Sequence, residues 1–519
     1  MKNKRKDRLR FSLLHESLQH YASHKGGSVA LIESDRCVTY GELWKKTEQF
    51  GSWLSNRFPP QTHVAILLEN SIEMVWSLYG ISAAGMVSVL IDSNQHMGNI
   101  QSVLDDSVPR LVVTSNELVS KFGWTGDSRP LDVFVVDGFP GALSEFSEQN
   151  TVGGEKVETD GVPAHTSPSD VAVLLYTTGT TGESKGVMLT HFNLLSATKN
   201  INEFMNITDG IVESLPLRLS HSFGFGRLRC VFDVGGTVML EKGFLRPERI
   251  LFHIERNRAN ALSSVPSGFR ILHSFCPDYF RTVGPLLKHI EIGSDFMPNS
   301  EKEQLVSMCP NARIVLHFGL TEASRATFLD FEKDRNHWDT VGKSSPNVSL
   351  KIRSDRGSAA GVNESGEILV KGNMVMKGYW RKPEETERAL ENGWMRTGDI
   401  GFIDSEGYLH LEGRRDDIFN IGGMKVVPVE VEDVLKKYEG IDNAAVVPIE
   451  PSETEPLPVL KAYLVVNERW KAGDLADLKR FCLNFLEAYK VPAEFELIDR
   501  IPTSESGKKM RNKLGREKS

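Results

Sequence analysis

Residues 171–191 read VAVLLYTTGTTGESKGVMLTH. An unbroken apolar run ends abruptly in glycines and threonines. Such a run, bounded by turn residues, is a buried strand that delivers a loop. Glycine permits positive φ and close backbone approach. Successive N–H groups can then form an anion-binding concavity. Thr177, Thr178, Thr180 and Thr181 add hydroxyls, and Lys185 adds charge. In chemical terms this is a cradle for phosphate. A Walker A loop would need glycine at 184 and Ser or Thr at 186 when counted from Gly179. The chain has Ser184 and Gly186 there, so a P-loop phosphotransferase fails on spacing. A plain surface loop stays open on this stretch alone.

Short apolar strands alternate with helical patterns on both sides of it. VALIE and CVTY flank Ser34-Asp35-Arg36 as a hairpin, and Thr39 to Glu42 opens a helix with a capping box. VAILL, VSVLI and RLVVT read as strands, and the segments 71–85 and 99–107 read as helices. TVML, ALSSVP, HIEIGS and ARIVLHFG continue the rhythm. This alternation predicts an α/β fold with largely parallel sheets. Beyond Leu350 the texture changes to short, glycine-punctuated strands of an antiparallel kind. From Asp416 a smaller α+β unit follows, with a second helix expected over Leu475–Tyr489. The expected division is a large domain, 1–415, and a small C-terminal domain, 416–519.

The bulk numbers bound the partners. A chain of 519 residues exceeds one ordinary core. Apolar content of 40% and charged content of 25% are those of a soluble globular protein. A net charge of −8 argues against nucleic acid. Five scattered cysteines without a CxxC pair argue against disulfides and zinc, and favour a reducing cytoplasm. The basic start MKNKRKDRLR leads into FSLLHESLQHY, which has no apolar core, so secretion is not expected. No stretch approaches the roughly 18 apolar residues of a membrane span.

Three further stretches carry chemistry. HFGLTEAS places Thr321 and Glu322 after a strand, where a hydroxyl can meet phosphate and a carboxylate Mg²⁺. Most Thr-Glu pairs are helix caps. RTGDIG places Asp399 in what reads as a glycine-flanked turn, with Arg414 following in GRRDD. A lone carboxylate can accept from two vicinal hydroxyls, although TGD turns are common. SESGKK places Lys508 in a polar loop, where most lysines are simply solvated.

In this order and at these spacings, YTTGTTGESKG, FGLTE, GEILVKGNMVMKGYW, RTGDIG, GRRDD and SGK resemble the adenylate-forming superfamily, which includes the acyl-CoA synthetases. The likeness runs from about Phe11 to Leu514. It implies that a carboxylate and Mg-ATP form an acyl-adenylate and pyrophosphate, after which a thiol displaces AMP. It assigns Thr177, Thr178, Gly179, Thr180, Thr181, Gly182 and Lys185 to the β- and γ-phosphates. Thr321 falls to the α-phosphate, Glu322 to Mg²⁺, and Asp399 with Arg414 to the ribose. Gly293 and Ser294 line the adenine pocket, and Phe318 lies on the ring. Lys508 bridges the attacking carboxylate and the α-phosphate, and His221 stands near that carboxylate. A structural histidine is the rival reading there. Asp416 is the hinge, and Gly422, Gly423, Met424 and Lys425 form the thiol-tunnel loop. Phe223, Gly224, Phe225, Val265, Gly319, Leu320 and Ala323 wall the acyl pocket.

Ser184 replaces the family's usual proline and Phe318 its commoner tyrosine, and neither change removes a reacting group. SHSFGFGRLRC has no acid before Asp233, which disfavours an α-amino acid substrate. CoA is the expected acceptor. A carrier-protein phosphopantetheine or an amine is the alternative, and a silent nucleotide-binding protein is opposed by the full set of reactive groups.

Overall fold

Five consecutive buried residues, Val87–Ile91, lie in the middle of the sheet that carries the glycine–threonine motif. A strand covered on both faces calls for a near-continuous apolar run, as parallel sheets do, and only Ser88 departs from it here. Val87–Ile91 pairs in parallel with His63–Leu67 on one side and Val171–Thr178 on the other. Leu111–Thr114 and Asp132–Val135 extend this eight-stranded sheet, again in parallel. The computed structural model describes residues 9–95, 97–122, 132–137, 151–152, 166–178, 184–293, 297–354, 356–414, 419–421, 424–449, 459–471, 474–486, 490–503 and 509–514. The chain divides into two compact units: Met1–Leu350 with Val370–Met395, and Lys351–Leu369 with Arg396–Ser519.

The first unit holds a second sheet of nine strands. Val212–Leu215, Thr237–Leu240, Ala261–Ser264, His289–Gly293 and Arg313–Phe318 run parallel in it. The hairpin of Val29–Glu33 and Arg36–Thr39 closes one edge. The α/β alternation read from the sequence is therefore the architecture found. The helix Tyr40–Ser55 begins on the expected capping box, with Thr39 Oγ1 accepting from the Glu42 N–H at 3.3 Å. A second box, Thr190 with Asn193, opens His191–Met205 immediately after the motif.

The second unit contains the strand Trp394–Ile403 from Arg396 onward, paired antiparallel with Leu409–Arg414, then a three-stranded sheet of Ile441–Ile449, Val459–Val466 and Glu494–Leu497. Val431, Leu435, Val446, Leu464 and Leu478 form its core with the helices Pro428–Leu435 and Asp474–Leu483. Two local expectations change. The helix expected over 475–489 stops at Leu483, where Asn484 and Phe485 donate to Phe481 and Cys482 in tighter i→i−3 bonds. Asp399 sits inside the ten-residue strand Trp394–Ile403 and not in a turn. Gly398 takes φ +72°, and the register shifts between Ile400 and Gly401, so the glycines kink a continuous strand.

The first unit also buries a chain of charges. Arg227 donates from Nε and Nη2 to Glu213 at 2.9 and 2.7 Å and from Nη1 to Glu291 at 2.9 Å. Arg325 Nε donates to the other Glu291 oxygen at 3.0 Å. These side chains are at most 2% exposed. Burial alone would push the Glu291 carboxyl up, but Arg325 and Arg227 outweigh it and hold it well below the usual carboxylate range. Removing one partner of such a set leaves an uncompensated buried charge. Glu291→Ala is expected to cost about 3–5 kcal/mol in urea unfolding, well above the effect of Glu332→Ala on the surface.

Candidate active site

The glycine–threonine loop joins two antiparallel strands. Thr177 pairs with Lys185, and Thr178 with Ser184. No helix follows the loop directly, so phosphate held there would rely on loop amides, hydroxyls and Lys185. Gly179, Thr180, Thr181 and Gly182 lie outside the described residues, as does the Thr178 side chain. The stem is braced from two sides. Tyr176 donates its hydroxyl to Asp106 at 2.6 Å. Trp380 donates its backbone N–H to Gly186 O at 2.8 Å and its indole N–H to Asp106 O at 3.1 Å. Gly378 and Tyr379 add a short strand to Met188 and Val187. The end of the GEILVKGNMVMKGYW motif thereby docks on the hairpin.

Tyr379 joins two of the motifs. Its ring lies under Lys185 Nζ at 5.4 Å from the centroid, a cation–π distance. Its hydroxyl donates to Glu322 Oε1 at 2.9 Å. Glu322 follows the strand Arg313–Phe318 in a tight turn, closed by reciprocal bonds between Leu320 and Ala323 at 3.1 and 3.2 Å. Met376 N–H holds the Glu322 carbonyl at 2.9 Å. Thr321 Oγ1 lies 3.4 Å from Ser222 Oγ, beside His221. The structure thus brings Lys185, Glu322, Thr321 and the His221 segment into one neighbourhood.

His221 caps the helix Ser222–Val234 by position, with extended backbone at φ −109° and no side-chain capping bond. Its Nε2 lies 3.1 Å from Asp92 Oδ2, which Arg218 Nη1 also contacts. Asp92 Oδ1 accepts from the Asn94 N–H at 3.0 Å. Burial pushes the Asp92 carboxyl up, but His221, the Asn94 amide and Arg218 outweigh it and bring it to about 2. It is a carboxylate at neutral pH.

The expected acyl walls are only partly free surfaces. Phe223 and Phe225 are buried in the Ser222–Val234 helix, and Arg325 lies over the Phe223 ring at 4.8 Å. Gly319, Leu320 and Ala323 build the Thr321 turn, and Val265 caps Pro266–Phe275. Gly293 ends its strand against the His317 ring, which meets Phe223 edge-on at 4.6 Å. Phe318, half-buried, ends the neighbouring strand.

In the second unit Asp399 is directly opposite Arg414 in the antiparallel ladder. The two residues linked by resemblance are therefore cross-strand neighbours. Asp399 is buried, and its N–H donates to Thr397 Oγ1 at 3.0 Å. Ser294, Asp416, Gly422, Gly423 and Lys508 lie outside the described residues, as does the side chain of Lys425. The residues flanking 504–508 are anchored. Thr503 bridges to Lys509, and Lys509 Nζ donates to Glu432 Oε2 and Ala444 O at 2.6 Å each. Arg511 donates to the other Glu432 oxygen at 2.9 Å.

The sequence reading did not single out Asp92, Ser222, Arg325 or Tyr379. Asp92 carried a usable signal, an acid at the carboxyl end of a largely apolar parallel strand. Tyr379 stood inside a quoted motif. Ser222 and Arg325 gave no signal before the fold was known.

The AMP-binding enzyme family model matches residues 18–380, and the model of its C-terminal domain matches 430–508. The 2-succinylbenzoate–CoA ligase of Bacillus subtilis (strain 168) is 29% identical, over 94% of each chain. The long-chain-fatty-acid–CoA ligase of the same organism is 29% identical over 88% of this chain and 85% of its own. The structure of o-succinylbenzoate CoA synthetase from Bacillus subtilis with its acyl-adenylate intermediate aligns at a TM-score of 0.81 with 27% identity, covering 97% of this chain and 98% of that one. The same synthetase with ATP and a magnesium ion aligns at 0.79 with 28% identity, covering 96% and 98%. With the larger match alone spanning well over half of its length, the chain belongs to the AMP-binding enzyme family.

Proposed function

We propose that the chain is an AMP-forming carboxylate–CoA ligase that makes an acyl-adenylate from a carboxylic acid and Mg-ATP, then a thioester. The observation that carries this reading is the convergence of Lys185 and Glu322 on Tyr379 beside Thr321. A cation and hydroxyls from the hairpin serve the β- and γ-phosphates, in the roles of Thr177 to Gly182 and Lys185. Thr321 serves the α-phosphate. Magnesium bound to nucleotide phosphates keeps several waters and takes one or two protein carboxylates. Glu322, half-buried and held through one oxygen by Tyr379, fits that requirement.

Asp399 and Arg414 take the ribose, and Gly293, Ser294 and Phe318 the adenine. Phe223, Gly224, Val265, Gly319, Leu320 and Ala323 border the acyl group. Lys508 places its ammonium between the attacking carboxylate and the α-phosphate, two anions that otherwise repel. Residues 416–519 act as a lid that turns about Asp416. One pose delivers Lys508, and the other brings the loop of Gly422, Gly423 and Lys425 to the thiol. CoA as acceptor is supported by relatives of nearly full length that are named CoA ligases. A cytoplasmic setting is supported by free cysteines, with Cys37 exposed.

Three measurements check this reading. A panel of acetate, hexanoate, decanoate, benzoate, 4-coumarate and 2-succinylbenzoate is expected to give ATP-dependent pyrophosphate release with at least one acid. CoA should then convert that acid to thioester; silence with every acid would end the assignment. Lys508→Ala is expected to slow pyrophosphate release about 10²–10³-fold while thioester formation from supplied acyl-adenylate persists. Equal loss of both halves in a folded variant would refute the two-pose lid. Glu322→Gln is expected to raise the Mg²⁺ concentration needed for ATP binding about tenfold, read by calorimetry with and without Mg²⁺.

A further inference from the structure

Asp92 is a nearly inaccessible carboxylate that none of the assigned roles uses. Its side chain is 4% exposed, while the His221 and Arg218 side chains that it contacts are 51% and 46% exposed. It lies two residues beyond Leu90, which pairs with Leu175, at the end of the sheet where Val171–Thr178 enters the phosphate loop. Ligands of parallel α/β sheets bind at that end.

The partner segment is held just as firmly. Asn70 accepts from the Leu219 N–H at 2.9 Å and donates to Leu217 O at 2.8 Å, clamping the backbone on both sides of Arg218. Gly224 leaves room for this turn, because a Cβ there would lie 2.3 Å from Arg218 O. His221 precedes Ser222, whose hydroxyl is 3.4 Å from that of Thr321. An ionised carboxylate only accepts hydrogen bonds, so the Asp92 contact assigns the proton of His221 to Nε2 and leaves Nδ1 for other partners. Asp92 is itself no ammonium site, since Arg218 already matches its charge.

We propose that Asp92 is a positioning residue for acyl activation: it fixes the His221 ring and the Arg218 guanidinium side by side, so that the incoming carboxylate meets both in a set geometry. This rests on the placement of His221 near the reacting carboxylate. Holding a ring in one orientation before substrate arrives removes an ordering cost from binding and from the transition state. The half-exposed guanidinium and imidazole would otherwise sample several rotamers.

The test compares Asp92→Asn, Asp92→Ala, His221→Ala and the double variant Asp92→Ala/His221→Ala. The Asn variant keeps shape, and the partners left by Ala stay half in solvent, so both should fold. Three readouts apply: KM for the acid and for Mg-ATP in pyrophosphate release, thioester formation from supplied acyl-adenylate, and the ring ¹H–¹⁵N spectrum of His221, assigned by its loss in His221→Ala. In the wild type the spectrum should report a protonated Nε2, and this signature should change in both Asp92 variants. With an acid that the wild type turns over, kcat/KM for the acid should fall about ten- to a hundredfold in Asp92→Ala. KM for Mg-ATP and the thioester step should stay within about twofold of the wild type, and the double variant should be no worse than His221→Ala.

An unchanged ring signature in Asp92→Asn and Asp92→Ala would overturn the proposal, whatever the substrate. So would additive losses in the double variant, or a loss in Asp92→Ala with none in His221→Ala. If His221→Ala is impaired and both Asp92 variants match the wild type, the proposal falls while the reading of His221 stands. If neither residue matters, both fall.

Discussion

Arg227 and Arg325 share the fully buried carboxylate of Glu291, on a strand of the nine-stranded sheet. Apolar packing alone would fill that space with less electrostatic penalty. What the charges add is direction. Arg227 lies on the helix that follows His221 and reaches back to Glu213 and Glu291 on two strands. Arg325 lies three residues after Glu322 and donates to Glu291 and to the carbonyls of Ser222 and Phe223. Two of the motifs needed at the site, SHSFG and FGLTE, are thus tied to one buried carboxylate. Their hydroxyls at Ser222 and Thr321 come within 3.4 Å as a consequence.

The same logic recurs at smaller scale. Asp106 braces the stem of the glycine–threonine hairpin through Tyr176 and Trp380. Asp92 braces Arg218 and His221. Glu432 braces the segment just past Lys508 through Lys509 and Arg511. Each case pairs one acid, on a regular element or just past its end, with groups from a different part of the fold. Chemistry that joins a carboxylate to a polyphosphate brings several negative charges together, so it must collect cations. Lysines and arginines on loops would be diffuse without such anchors, because each carries large rotamer entropy.

The sequence showed the fold well wherever one strand or helix carries its own signal. Val87–Ile91 is buried at each position, and apolar at all but Ser88, because both faces are covered. The Thr39 and Thr190 caps mark helix starts because a short side chain must satisfy backbone N–H groups there. Asp399 was legible as a residue and misplaced as a turn, since glycine marks kinked strands as readily as turns. The end of the Asp474–Leu483 helix escaped because its apolar pattern runs on through Phe485 and Leu486, beyond its last helical residue. The site was legible as a set of motifs and illegible as a set of contacts. Ser222 meets Thr321 across 99 residues, Arg325 meets the Ser222 carbonyl across 103, and Asp92 meets His221 across 129. No local pattern encodes such a pairing.

Tyr379 shows why that gap lies where it does. Its position in the chain is fixed by a two-residue strand pairing with Val187, two residues beyond Lys185. That pairing places the phenol under the Lys185 ammonium and its hydroxyl on Glu322, so one side chain touches both the proposed phosphate ligand and the proposed metal ligand. A phenylalanine would keep the ring face and the strand and lose the bond to Glu322. The hydroxyl is therefore the part of Tyr379 that links the glycine–threonine hairpin to the FGLTE turn. A pattern of residue types records the tyrosine, and only the fold records what it connects.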